Sequence, residues 1–96
     1  MAELPVGQLA VSRKGKDTGT LYVVSGMDSK GRVQVIRPPK FNTTHPKAKN
    51  IRHLQPVNGN AEELAAIIKA GQDIDAGYFH RIVGSFNKWQ TAAKRT

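Results

Sequence analysis

Residues 7–26 read GQLAVSRKGKDTGTLYVVSG, and their pattern decides the fold. From Gln8 to Ser12 apolar and polar residues alternate, with Leu9 and Val11 on one face and Gln8, Ala10 and Ser12 on the other, the period of a half-buried strand. Thr20 to Ser25 is rich in β-branched and aromatic residues and predicts a second strand. Between them Arg13–Gly19, RKGKDTG, reads as a loop: Gly15 and Gly19 can take positive φ, and Asp17 can hydrogen-bond back to its own backbone. The unit is a short hairpin whose loop carries three cations.

Working outward, Gly26–Gly31 predicts a turn and Arg32–Arg37 a third strand, with Val33 and Val35 on one face and Arg32, Gln34 and Ile36 on the other. Pro38-Pro39 should stop regular pairing. Residues 40–50 read as irregular and exposed, Asn50–Leu54 as a short strand closing a barrel, and Pro56–Asn60 as a linker. The period then changes. Asn60 with Glu63 three positions on has the form of a capping box, and Ala61, Leu64, Ala65 and Ile68 mark one helical face, closed by Gly71. A second helix should begin near Asp75, with Phe79, Ile82, Val83, Phe86 and Trp89 as its apolar stripe. The expected fold class is mainly β with C-terminal α: a small antiparallel β-barrel over residues 1–56, then a helical hairpin over 57–96 packed on it, the whole forming one compact domain.

Ninety-six residues suit one domain, and a hydrophobic fraction of 39% with 23% charged residues is an ordinary globular balance. There is no cysteine, hence no disulfide framework and no thiolate metal site. No apolar run approaches the roughly 20 residues that span a bilayer, and MAELPVGQ lacks a basic lead and an apolar signal core, so a cytoplasmic location is expected. The net charge is +8, and +7 of it lies in residues 1–56. A field concentrated in one half of the chain points to an anionic partner.

The strand–basic loop–strand unit around Gly19 resembles the KOW motif of ribosomal and transcription-factor proteins. Pro39-Lys40, then Lys49-Asn50-Ile51-Arg52-His53-Leu54-Gln55-Pro56, resembles the closing segment of the large-subunit ribosomal protein fourteen-e family, and Val6-Gly7-Gln8 and Gly15–Gly19 fit it in order. The likeness covers about residues 6–56 and is nearest to the short stand-alone KOW-domain RNA-binding proteins of Gram-positive bacteria. It implies an SH3-like barrel that binds structured RNA, ribosomal RNA foremost. Two departures stand out: the family usually has Gly-Arg where this chain has Gly7-Gln8, and Phe41–His45 is an insertion.

RNA binding demands several cations at fixed spacing, each replacing condensed counterions. Arg13, Lys14 and Lys16 project from the loop, whose structural turn is Gly15, Asp17 and Gly19; the two glycines can also bring backbone N–H donors close to phosphate. Lys40, Lys47, Lys49 and Arg52 form a second strip, Arg32 and Arg37 bracket the third strand between them, and Asn50 and His53 can bond a 2′-hydroxyl or a base edge. With only Tyr22 and Phe41 as aromatics in the basic half, folded RNA is expected over single strands.

Each lysine taken singly is as readily plain solvated surface, and His53 as readily a strand-end residue bonded to backbone. His45, His53 and His80 have no metal-ligand spacing, and Asp73 and Asp75 read as turn and cap residues. GKDTG lacks the order of a nucleotide-phosphate loop, and no nucleophile–base–orienter set stands out, so the expectation is no enzyme and no cofactor. The partners expected are ribosomal RNA and, beside it, ribosomal proteins, with no membrane and no small-molecule substrate. The rival reading is an SH3-like interaction module that binds an acidic protein segment.

Overall fold

The computed structural model describes residues 4–84. Five antiparallel strands run β1 (Gln8–Ser12), β2 (Leu21–Met27), β3 (Val33–Ile36), β4 (Lys47–Lys49) and β5 (Leu54–Asn60), in sheet order β4-β3-β2-β1-β5. The first three lie close to their expected positions. β2 continues to Met27, so the turn before β3 is shorter than GMDSKG; there the Asp28 carboxylate accepts the N–H groups of Lys30 and Arg32 at 2.9 and 2.8 Å.

The two edge strands are consecutive in sequence, which forces the sheet to curl. Across a flat five-stranded sheet the edges lie about 19 Å apart. The five residue steps from Lys49 to Leu54 span at most about 18 Å even when fully extended, and Ile51–His53 form a turn of 3₁₀ helix that is shorter still. Arg13 N–H donates to His53 O at 2.7 Å and so extends the β1–β5 ladder, while across the curl the Lys49 ammonium of β4 reaches Ser12 Oγ of β1 at 3.0 Å.

Curling gives the sheet two buried faces. Ala10, Tyr22, Val24, Val33, Val35 and Leu54 pack together on the concave side. Leu9, Leu21, Val23 and Ile36, on the convex side, are covered by helices. Helix α1 (Glu62–Lys69) presents Leu64 and Ile68, and α2, helical over residues 76–84, presents Phe79 and Val83. The expected apolar stripe thus packs on the sheet and on α1; Phe86 and Trp89 lie outside the described residues. No helix among the described residues is long and apolar enough to cross a membrane.

Three further boundaries differ from the reading of the sequence. Residues 57–60, expected in a linker, are the end of β5, so that strand runs across the anticipated boundary at 56. Pro56 is tolerated because β5 is an edge strand, where a missing N–H leaves no ladder bond unmade. Asn50–Leu54 is not the closing strand: β4 precedes it, a 3₁₀ turn occupies its middle, and β5 starts at its end. The N-cap of α1 is Ala61, with no side-chain cap, one residue later than Asn60; Glu62 and Glu63 sit in the first turn, where the helix dipole favours them.

Residues 41–45 form the clasp for the helices. Asn42, buried, donates from Nδ2 to Ile74 O at 2.9 Å and accepts Ile74 N–H at 2.7 Å, and Asp73 accepts both the N–H and the hydroxyl of Thr44. Asp75 accepts the Tyr78 N–H at 3.0 Å and so caps α2. Residues 41–45 and the helices are thus tied to each other through the 70–75 connection.

Candidate nucleic-acid interface

The basic loop is closed by its own backbone. Ser12 N–H donates to Thr20 O at 2.9 Å and Gly19 N–H to Ser12 O at 2.8 Å, while the Thr18 hydroxyl donates to Gly15 O at 2.7 Å. Gly15 and Gly19 take φ of +95° and +92°, a region costly for any side chain, as their place in the loop requires. Because the Gly19 N–H is used inside the hairpin, it is not the phosphate donor the sequence suggested. Lys14 and Lys16 are exposed.

Asp17 departs from expectation. Its carboxylate does not turn back to its own backbone; it points inward and accepts hydrogen bonds from the Tyr22 hydroxyl, from Ser12 Oγ at 2.9 Å and from the Lys49 ammonium at 3.0 Å. Lys49 stands opposite Val33 on the concave face and is only 8% exposed. Its Nζ also donates to Lys14 O at 3.2 Å. Lys49, expected as an RNA contact, is therefore an internal cation that ties β4 to the loop. Burial alone would push the Asp17 carboxyl up; the hydrogen bonds from Tyr22, Lys49 and Ser12 outweigh it and hold the group well below the usual carboxylate range. The Tyr22 hydroxyl moves the other way, pushed above its ordinary value by burial and then by the neighbouring carboxylate, with Arg37 acting slightly against the shift.

Around this ion pair, whose lysine is buried and whose carboxylate is half-buried, opens a cleft of ≈ 1100 Å³. The loop contributes Lys14 and Lys16, the strip contributes Lys40, Lys47, Asn50 and His53, and Arg32 and Arg37 stand between. The two cationic segments, separate in sequence, share one concavity. Two of these cations are partly engaged. Arg32 pairs with Asp28 at 2.9 Å, and Arg37, half-buried, donates to Leu21 O at 2.9 Å with its guanidinium 5.7 Å from the Phe79 ring. The Asp28 carboxyl is lowered first by the Arg32 backbone N–H; burial opposes this, and the Lys30 N–H and the Arg32 guanidinium carry it further down. Phe41 forms part of the wall, with the ammoniums of Lys40 and Lys47 at 5.6 and 5.1 Å from its ring centroid.

Arg13 and Arg52 do not line the cleft. Arg13 donates to Gln55 Oε1 at 2.6 Å, and Arg52 uses its backbone N–H to bond the Asn50 side chain at 2.9 Å. His80 was missed: α2 brings its ring to the cleft edge-on to Phe79, with centroids 5.5 Å apart. The signal was present as its position next to Phe79 in the apolar stripe, but its use depends on where the helix docks. Among the described residues, no three His, Cys, Asp or Glu side chains come together as a metal site would require. The chain matches no family model and no curated protein.

Proposed function

We propose that this chain is a non-catalytic RNA-binding protein of KOW type, an SH3-like barrel that holds structured ribosomal RNA by its phosphates and serves as a ribosomal or ribosome-associated factor. One observation carries the reading: the loop lysines Lys14 and Lys16 and the strip lysines Lys40 and Lys47 line a single cleft. The carboxylate in that cleft, Asp17, already receives an internal ammonium and two hydroxyls, so it does little to offset the cations beside it. The sheet order and the tight β4–β5 connection favour the barrel.

Fluorescence anisotropy with a ribosomal RNA hairpin, measured across a salt series beside a charge-matched acidic peptide, tests the reading. Contacts from four lysines predict that log affinity falls with log salt at a slope of roughly −3 to −4. Replacing Lys14, Lys16 and Lys47 together with Ala should remove most of that slope. Tight binding of the acidic peptide with no RNA binding at low salt would refute the proposal and favour a protein partner.

A further inference from the structure

Phosphate recognition alone calls for cations, yet this cleft also has an apolar wall. Pro39 and Ala48 are exposed and Phe41 is half-buried, all three in the same concavity as the lysines. Phe41 is firmly held. Its N–H and C=O pair with the C=O and N–H of Arg37, each at 3.1 Å, and its ring packs against the concave core. Two ammoniums, on Lys40 and Lys47, lie over that ring at 5.6 and 5.1 Å from its centroid, so a base that stacks on Phe41 takes their place while they swing on their flexible stems to its phosphate.

A paired A-form duplex hides the faces of its bases and has no use for an aromatic wall. An unpaired base stacks on an aromatic ring while neighbouring cations take its phosphate. At ≈ 1100 Å³ the cleft has ample room for a nucleotide. Asn50 adds a reader for the base edge, because its Oδ1 is fixed by the Arg52 N–H at 2.9 Å and its NH₂ is the end left to donate.

We infer that the cleft takes one unpaired nucleotide of an otherwise folded RNA, with its base on Phe41 and its phosphate on Lys40 and Lys47. This rests on the RNA reading above and narrows its substrate.

The experiment compares a fully paired RNA hairpin, the same hairpin with one bulged nucleotide, and the bulged hairpin with an abasic sugar-phosphate at the bulge. The bulged hairpin should bind roughly fivefold to a hundredfold tighter than the paired one. The abasic form should lose that advantage, and Phe41→Leu should bring the bulged and paired affinities to one value while Phe41→Trp keeps them apart. Equal binding of all three hairpins by the native protein overturns the inference and leaves the RNA reading standing. A bulge preference that survives in the abasic form or in Phe41→Leu overturns it as well. Binding of a free nucleoside 5′-monophosphate as tight as that of the bulged hairpin overturns it by making the free nucleotide the ligand. Failure of every hairpin to bind at low salt overturns both readings together.

Discussion

The loop Arg13–Gly19 and the later part of the strip, Lys47–His53, look alike as sequence, each a run of cations around small or polar residues, but the structure uses them differently. The loop keeps Lys14 and Lys16 exposed on a rigid backbone. The strip divides its cations. Lys47 and Lys49, two residues apart, share a face of β4, yet Lys47 stands beside Phe41 while Lys49 is buried against Asp17. What separates the two lysines is the presence of a counter-ion, supplied by the loop. The difference teaches that a count of cations overstates the charge a surface offers, and that one ion pair joins the two regions.

The largest effect should come from breaking that pair on the loop side. Asp17→Ala leaves the Lys49 ammonium buried without its carboxylate, and urea denaturation should show a loss of about 3–5 kcal/mol. An Asp17→Ala protein as stable as the native one would mean that loop and strip are not coupled. Tyr22→Phe removes a hydroxyl bonded to the same carboxylate and should cost about 1.5–3 kcal/mol.

Acid should expose the pair next. The Asp17 carboxyl titrates below its unfolded value of about 3.9, so between the two values the unfolded chain binds more protons than the folded one. The stabilisation is fully present above about pH 4 and is lost as the pH falls further toward the folded value. Lys49→Met removes the ammonium and lets the folded carboxyl rise toward its ordinary value, so stability below pH 4 should fall less steeply with acid than in the native protein. A slope identical in the two proteins would separate Lys49 from the carboxylate. Alkali acts with the opposite sign. The Tyr22 hydroxyl is raised, so its contribution is present below about pH 10 and is lost above it, and Tyr22→Phe should flatten that limb of the stability profile.

The smallest effect on stability belongs to the exposed loop cations. Lys14→Ala and Lys16→Ala should each change it by less than about 0.5 kcal/mol. A large loss from either would show that the loop lysines also serve the fold.

Much of the fold was legible because apolar periodicity survives in single sequence. Leu9, Val23, Val33 and Val35 marked their strands, and Leu64, Ile68, Phe79 and Val83 their helices; all eight are buried. β4 was not legible, because Lys-Ala-Lys carries no apolar alternation and becomes a strand only through its pairing with β3. β5 was hidden by Pro56 and Gly59, residues that an edge strand tolerates and a central strand does not. At the site, the charge asymmetry located the cleft, since most of the expected contacts line it. The fate of Lys49 could not be read, because a lysine is internal only where a carboxylate from a distant segment meets it, and Asp17 lies 32 residues away in sequence. The clasp was equally silent: Asn42 reads as a loop residue until Ile74 is folded against it.

The central claim is that loop and strip form one RNA-binding surface. Its most direct test is the salt slope of affinity for one folded RNA, measured for the native protein, Lys14→Ala, Lys47→Ala and the double variant. Each single change should reduce the slope by about one, and the double variant by about two. A slope that responds to Lys14→Ala but not to Lys47→Ala, or to neither, would contradict the account.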